Sequence, residues 1–140
     1  MKKNILFVTT HPIQYQTPIF KKLYKLNKSF LVLFDKKIKK HIEIDDYDFK
    51  KKIKWGNNLV TDYKYEIFRK KDSFILNIYY AYKLLKTKKI EYLILSGWSN
   101  IFYKSIFILA KILKIKIILR CENNLYEASY ITKKIKVLFL

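Results

Sequence analysis

The chain has 140 residues, enough for one domain with a sizeable core, and 51% of them are hydrophobic, which excludes a disordered protein. The formal net charge is +19, but Arg69 and Arg120 are the only arginines among the 30 basic residues. Proteins that read base edges or phosphates favour arginine for its forked guanidinium, so this charge alone does not indicate nucleic-acid binding. The joint enrichment in lysine, isoleucine, tyrosine and phenylalanine indicates an AT-rich coding sequence, with attraction to an anionic membrane surface as the second explanation.

Cysteine usage and hydropathy restrict the class of protein further. Cys121 is the only cysteine, which excludes a disulfide framework and a thiolate metal site. No uninterrupted apolar run approaches the ~18 residues of a membrane-spanning helix. The first apolar run, residues 5–8, is too short for the core of a signal peptide. We therefore expect a reduced, soluble, cytoplasmic protein, with peripheral contact at the inner face of the membrane as an open alternative.

The first 35 residues predict a strand, a helix and a second strand. Residues 4–10 and 30–35 are compact apolar runs typical of buried strands. Between them, apolar residues recur at helical spacing, with Thr17 as the expected N-cap and Pro18 at the first helical position. Such a βαβ unit has parallel strands and a right-handed crossover.

The charged segment that follows, residues 36–72, has little periodicity apart from a short β-like run at 65–68. A long irregular segment within a domain is commonly functional or disordered. Trp55 and other apolar residues indicate that this segment packs against the domain. His41 has no motif around it, and we expect it to be solvated.

The second half of the chain continues the alternation of helices and strands. Ser73 is expected to begin a helix, residues 92–96 form a buried strand, residues 100–114 a third helix and residues 114–121 a fourth parallel strand. Alternating elements of these two kinds predict an α/β protein with a Rossmann-like, doubly wound parallel sheet.

Polar residues follow three of the predicted strands. In open parallel sheets, ligands bind beyond the carboxyl ends of the strands, so these residues are the candidate binding residues. They are His11, Gln14 and Tyr15 after the first strand, Gly97 and Trp98 after the third, and Arg120, Glu122 and Asn123 after the fourth.

Each of these clusters also has a purely structural interpretation. His11 suits proton transfer or phosphate contact, or it caps the turn. Trp98 is either a stacking platform for a sugar ring or a plug over the sheet. Arg120 and Glu122 either hold a polar ligand or form an ion pair with each other.

Several well-known signatures are absent from the chain. It contains no G-x-G-x-x-G or Walker sequence, no nucleophile elbow and no histidine or cysteine spacing typical of a metal site. We therefore expect neither a dinucleotide cofactor nor a bound metal ion.

Three stretches of the chain resemble one known family. They read ILFVTTHPIQYQTPIFKKL from residue 5, KKIKWGNNLVTDYKYEIF from residue 51 and LILSGWSNIFYKSIFILAKILKIKIILRCENNL from residue 93. They are similar to the motifs T-H-P-I-Q-Y, K-W-D-x-x-L-x-x-G-Y-x-Y, H-G-[WY] and R-G-E-[SN] in the amino-terminal domain of family 4 glycosyltransferases with the GT-B fold. Gly56 replaces the usual aspartate, Asp62 a common glycine and Cys121 another glycine.

The resemblance implies a retaining transfer of a sugar from a nucleotide-sugar to a cell-envelope glycan or a lipid-linked acceptor. Residues 1–140 would be the acceptor-side, Rossmann-like half of the GT-B fold. The nucleotide-sugar-binding half would be missing, and the fragment inactive by itself.

Site roles also follow from the resemblance. His11 would lie near the transferred sugar as the catalytic residue. The acceptor side would be lined by Gln14, Tyr15, Gly97, Trp98, Arg120, Glu122 and Asn123. Trp55 would anchor the long loop, and no metal ion is implied.

A non-enzymatic interpretation competes with this one. A basic α/β module that binds an anionic membrane or nucleic acid would have the same net charge. The two interpretations differ in salt dependence, because binding that rests on charge weakens steeply as salt is added.

Overall fold

The computed structural model describes residues 3–35, 59–68, 73–97 and 101–120, together with the backbone of residues 43–46 and 51–54. Three helices and seven strands lie in these ranges. In chain order they are β1 (Ile5–Thr9), α1 (Thr17–Leu26), β2 (Phe30–Phe34), β3 (Glu43–Asp46), β4 (Lys51–Lys54), β5 (Tyr65–Ile67), α2 (Phe74–Thr87), β6 (Tyr92–Leu95), α3 (Ile101–Ile112) and β7 (Lys116–Leu119).

Five of the strands form one parallel sheet in the order β5-β2-β1-β6-β7. The four parallel strands expected from the sequence are confirmed, and the short β-like run at 65–68 supplies the fifth, at one edge. Helices lie on both faces of the sheet. The chain is thus an α/β protein whose architecture is consistent with a Rossmann-like fold.

The two faces of the sheet have separate apolar cores because side chains alternate along each strand. On one face, Phe7 and Val32 pack with Phe20 of α1. On the other, Leu6 and Leu93 belong to the core that α2 and α3 cover. The completely apolar sequence of β2 follows from this arrangement, since all five of its residues are buried.

The expectation that residues 36–72 are irregular outside 65–68 is wrong for eight of them. The strands β3 and β4 pair antiparallel, with Glu43 opposite Lys54 and Asp46 opposite Lys51. Each of these four-residue strands has three charged residues and one isoleucine, so it lacks the alternation of apolar and polar positions that predicts a half-buried strand. Their register instead brings acidic positions opposite basic ones.

The first helix begins differently from the expectation, whereas the second begins as expected. Gln16, not Thr17, is the N-cap of α1, and its side chain makes no capping hydrogen bond. The Thr17 hydroxyl donates instead to the carbonyl oxygens of Ile13 and Leu59, at 3.3 and 3.0 Å. Ser73 does cap α2, since its hydroxyl oxygen accepts a hydrogen bond from the Leu76 amide at 3.5 Å.

Within the described ranges, no helix combines the length and the apolar character needed to cross a bilayer.

Candidate functional site

The order of the strands creates a switch point between β1 and β6. From β1 the chain builds the sheet outward through β2 to β5, and it then returns to place β6 on the opposite side of β1. Crossover connections on the two sides of such a point diverge, which leaves a crevice beyond the carboxyl ends of the two strands. The described residues of the predicted clusters, His11, Gln14 and Tyr15 after β1 and Gly97 after β6, lie on either side of this switch point.

Backbone hydrogen bonds just beyond the strand ends fix the positions of the candidate residues along the strand direction. The Ser96 amide donates to the Val8 carbonyl oxygen at 3.1 Å, and the Arg120 amide donates to the Leu95 carbonyl oxygen at 2.8 Å. The ladder therefore runs unbroken across β1, β6 and β7 up to the points where they end. With neighbouring strands about 4.8 Å apart, the described parts of all three clusters lie along one sheet edge.

The turn after β1 presents its polar side chains to solvent. His11 is exposed, and its Nδ1 lies 2.9 Å from the Thr10 hydroxyl. The Ile13 carbonyl oxygen accepts from the amides of Gln16 and Thr17 at 3.0 and 3.1 Å, which closes the turn and starts α1. Gln14 and Tyr15 protrude from this closed turn, and both are exposed.

Gly97 has a packing role at the end of β6. Its φ of +157° is one that side-chain-bearing residues rarely adopt, and a β-carbon there would lie 3.1 Å from Cε2 of Tyr103. The Tyr103 hydroxyl in turn lies 3.3 Å from the Ser96 hydroxyl. Because Gly97 has no β-carbon, the chain can pass close to the Tyr103 ring in the first turn of α3. Its role in the described structure is one of packing.

Arg120 is the one member of the third cluster that the structure describes. It directly follows β7 and is exposed. Trp98, Glu122 and Asn123 lie outside the described residues, as do Trp55 and His41. The structure therefore brings His11, Gln14, Tyr15, Gly97 and Arg120 to one edge. Whether Trp98, Glu122 and Asn123 join them stays a prediction.

Two buried polar residues at this edge escape sequence reasoning. Asp35 is 4% exposed directly after β2, and its amide donates to the Thr10 carbonyl oxygen at 3.2 Å. Gln16 is 3% exposed, and in the described part of the chain its Oε1 has no hydrogen-bond partner. An aspartate that ends an apolar strand is a usable signal for the first. Glutamine rarely caps a helix, so no pattern indicates the second.

The described side chains at this edge support binding chemistry more directly than metal chemistry. A guanidinium forms paired hydrogen bonds with anionic or polar oxygens, and an exposed imidazole can donate or accept a hydrogen bond. A buried, unpartnered amide oxygen is an acceptor for a ligand hydroxyl. No group of three or more potential metal ligands occurs among the residues that the structure describes.

No model of a known protein family matches the chain, and no curated protein and no solved structure matches it significantly.

Proposed function

We propose that this chain is the amino-terminal, acceptor-side domain of a retaining GT-B glycosyltransferase. The enzyme would move a sugar from a nucleotide-sugar to a cell-envelope glycan or a lipid-linked acceptor. The observation that carries this proposal is the switch point between β1 and β6, with His11 beyond β1 and Arg120 beyond β7 at the same end of the sheet. The resemblance of the turn after β1 to the T-H-P-I-Q-Y motif supports the same assignment.

In this proposal His11 is the catalytic residue that contacts the transferred sugar. Its Nδ1 lies 2.9 Å from the Thr10 hydroxyl, so the ring has a fixed partner on one nitrogen. When the threonine hydroxyl donates this hydrogen bond, Nε2 carries the proton and can donate to a sugar hydroxyl. Exposure of the ring leaves Nε2 available to a ligand that enters the crevice.

The acceptor would bind along the same sheet edge. Tyr15 is 58% exposed, and its ring gives an apolar surface on which a sugar can stack. Gln14 and Arg120 are exposed at the same end of the sheet and offer amide and guanidinium donors. We add Gln16 to these residues, because its unpartnered Oε1 would accept a hydrogen bond from a hydroxyl group.

The nucleotide-sugar would be held by a second Rossmann-like domain, as the resemblance implies. GT-B enzymes generally bind the diphosphate with protein groups and a helix N-terminus, so the proposal includes neither a metal ion nor another cofactor. The 140-residue chain by itself is then expected to bind an acceptor and to transfer no sugar.

Thermal unfolding with a panel of ligands tests this proposal. The panel contains short envelope oligosaccharides, a short-chain polyprenyl-linked sugar and several nucleotide-sugars. An acceptor at ten times its Kd adds about 1.4 kcal/mol, which raises the Tm of a domain of this size by about 4 °C. We expect a shift with at least one acceptor and none of similar size with nucleotide-sugars.

Two single substitutions test whether the predicted residues cause that shift. His11→Ala and Arg120→Ala replace exposed residues, so each should change the free energy of unfolding by less than about 0.5 kcal/mol. Each should nevertheless abolish the ligand-induced shift. A shift that survives both substitutions, or sugar transfer by this chain alone, would defeat the proposal.

A further inference from the structure

The helices α2 and α3 share one face of the sheet and leave much apolar surface uncovered. Both helices contribute to the same core, so they lie side by side. Their outward side chains include large apolar residues that are between 49% and 77% exposed. We call this surface the α2–α3 face, and its apolar members are Ile75, Leu76, Tyr79, Ile101, Ile108 and Ile112.

Every charged residue on these two helices is a lysine. They are Lys83 and Lys86 on α2 and Lys104 and Lys111 on α3, and all four are exposed. Neither helix contains an aspartate or a glutamate. The two helices therefore combine exposed apolar side chains with charges of positive sign only, and the Glu66 carboxylate of β5 contacts α2 through the Tyr80 hydroxyl at 2.6 Å.

Two of these lysines lie over an aromatic ring of their own helix. Lys111 Nζ lies 5.4 Å from the centre of the Phe107 ring, and Lys86 Nζ lies 5.8 Å from that of Tyr82. Side chains that follow apolar surface and end in a cation are typical of helices lying at a water–lipid boundary. There the apolar groups enter the acyl region and the ammonium groups remain among the headgroups.

Strand polarity places part of this surface near the candidate site. Each helix connects two parallel strands of one sheet, so α2 and α3 both run opposite to the strands. Their first turns, with Ile75 and Ile101, therefore lie at the sheet edge where the strands end. His11 follows β1 at the same edge.

We propose that the α2–α3 face binds the surface of an anionic phospholipid membrane. A second copy of the chain is a poorer occupant, because a symmetric contact would bring lysines against lysines. Nucleic acid is also a poorer occupant, because six large apolar side chains would face a phosphate backbone. The inference rests on the exposed side chains and their charges, and it holds whether or not the chain transfers sugars.

Vesicle flotation measures this interaction directly. The probes are vesicles of pure phosphatidylcholine and vesicles with 30 mol% phosphatidylglycerol, on the order of physiological anionic content. The whole 140-residue chain should partition onto the anionic vesicles and only weakly onto the neutral ones. Circular dichroism and Tm establish that each variant is folded.

Charge is tested with matched pairs of lysines on opposite faces of the sheet. Lys83→Glu with Lys104→Glu alters the α2–α3 face, and Lys22→Glu with Lys25→Glu alters exposed positions on α1. Both variants have the same net charge. Each lysine near an anionic surface contributes about fivefold, so the first variant should lose at least about 25-fold in partitioning and the second less than about threefold.

Apolar contact is tested with matched pairs of similar exposure. Ile75 and Ile108 are 77% and 49% exposed, and Leu26 and Ile19 on α1 are 69% and 50% exposed. Replacing the first pair by serine should reduce partitioning onto anionic vesicles about tenfold. The same replacement on α1 should change it less than about twofold, because that helix faces away from the membrane.

The outcomes separate the proposal from its competitors. Equal losses in the two charge variants would mean that net charge alone drives binding, and would overturn it. Absence of partitioning onto anionic vesicles would do so as well. Concentration-dependent dimers on gel filtration that Ile75→Ser with Ile108→Ser abolishes would assign the face to a second copy. Tighter binding of the same face to a short DNA duplex than to anionic vesicles would assign it to nucleic acid.

Discussion

The Ser96 hydroxyl donates a 2.9 Å hydrogen bond to the carbonyl oxygen of Val8, the same oxygen that accepts from the Ser96 amide. It also lies 3.3 Å from the Tyr103 hydroxyl. One side chain thus joins the end of β6 to β1 and to the first turn of α3. These contacts hold the three elements together beside the switch point between β1 and β6.

Ser96→Ala should lower the free energy of unfolding by about 1 kcal/mol, because a partly buried hydroxyl with two partners is removed. The matched control is Ser105→Ala. Its hydroxyl donates only to the Ile101 carbonyl oxygen, within α3, and alanine is the better helix former. Urea denaturation measures both variants. Equal losses would show that the link between β6 and α3 contributes nothing specific.

Gly97→Ala should also be destabilising, by about 1–2 kcal/mol, because a residue with a side chain is strained at this φ. Its new methyl group would additionally approach the Tyr103 ring, where the added carbon would lie 3.1 Å from Cε2. Urea denaturation gives the size of the loss. An unchanged denaturation midpoint would show that the ring and the backbone yield freely at this position.

Asp62 has a left-handed backbone, with φ of +67°. Aspartate and asparagine tolerate this conformation, whereas β-branched residues do not. Asp62→Val should therefore cost about 1–2 kcal/mol, and Asp62→Asn less than about 0.5 kcal/mol.

The smaller loss in Asp62→Asn isolates the exposed ion pair with Lys21, whose Nζ lies 3.1 Å from the carboxylate. Added salt should remove that small difference and leave the loss in Asp62→Val unchanged. If the two variants are equally stable, backbone strain is not the cause.

Burial raises the pKa of Tyr63 from 10.0 to about 12. As pH rises, this hydroxyl ionises at a lower pH in the unfolded chain than in the folded one. The free energy of unfolding therefore falls as pH rises from 10.0 towards 12. Tyr63→Phe does not undergo this loss. It does lose the 2.7 Å hydrogen bond to the Leu59 carbonyl oxygen.

Urea denaturation at two pH values therefore measures how far the advantage of the wild type over Tyr63→Phe falls. At pH about 8 the wild type should be more stable than Tyr63→Phe by about 1 kcal/mol, and by pH about 11.5 this advantage should vanish or reverse. A difference that is independent of pH would mean that the hydroxyl ionises equally in both states.

Gln16→Leu should change stability and binding in opposite directions. Removal of a buried oxygen that has no described partner should stabilise the chain by about 1 kcal/mol, since no capping hydrogen bond is lost. If Oε1 accepts from an acceptor sugar, the same substitution should weaken saccharide binding about tenfold. Urea denaturation and calorimetric titration measure the two effects. Unchanged affinity would remove Gln16 from the site.

The parallel sheet is predictable from sequence because its strands are apolar runs between amphipathic helices. Phe30–Phe34 is such a run, and burial on both faces explains it. The strands Glu43–Asp46 and Lys51–Lys54 were not predicted, because charged four-residue strands resemble loops. The start of α1 was misjudged by one residue, because the Thr17 hydroxyl bonds to a distant carbonyl oxygen that no local pattern reveals.

For the candidate site, the sequence predicts only the features that follow from the order of strands and helices. That polar residues after successive parallel strands share an edge follows from the alternation of elements, and His11 and Arg120 lie there. The contacts of Ser96, Gly97 and Gln16 depend on how the elements pack against one another. Sequence spacing carries no information about those contacts.

The central position of β1 has a consequence for synthesis on the ribosome. Ile5 pairs with Phe30 on one side and with Tyr92 on the other, so the two edges of β1 are completed at very different times. The second edge stays open in the nascent chain until β6 emerges, and an open apolar strand edge is prone to aggregate. Basic residues outnumber acidic ones in the part of the chain translated in that interval, and like net charge opposes the association of neighbouring nascent chains.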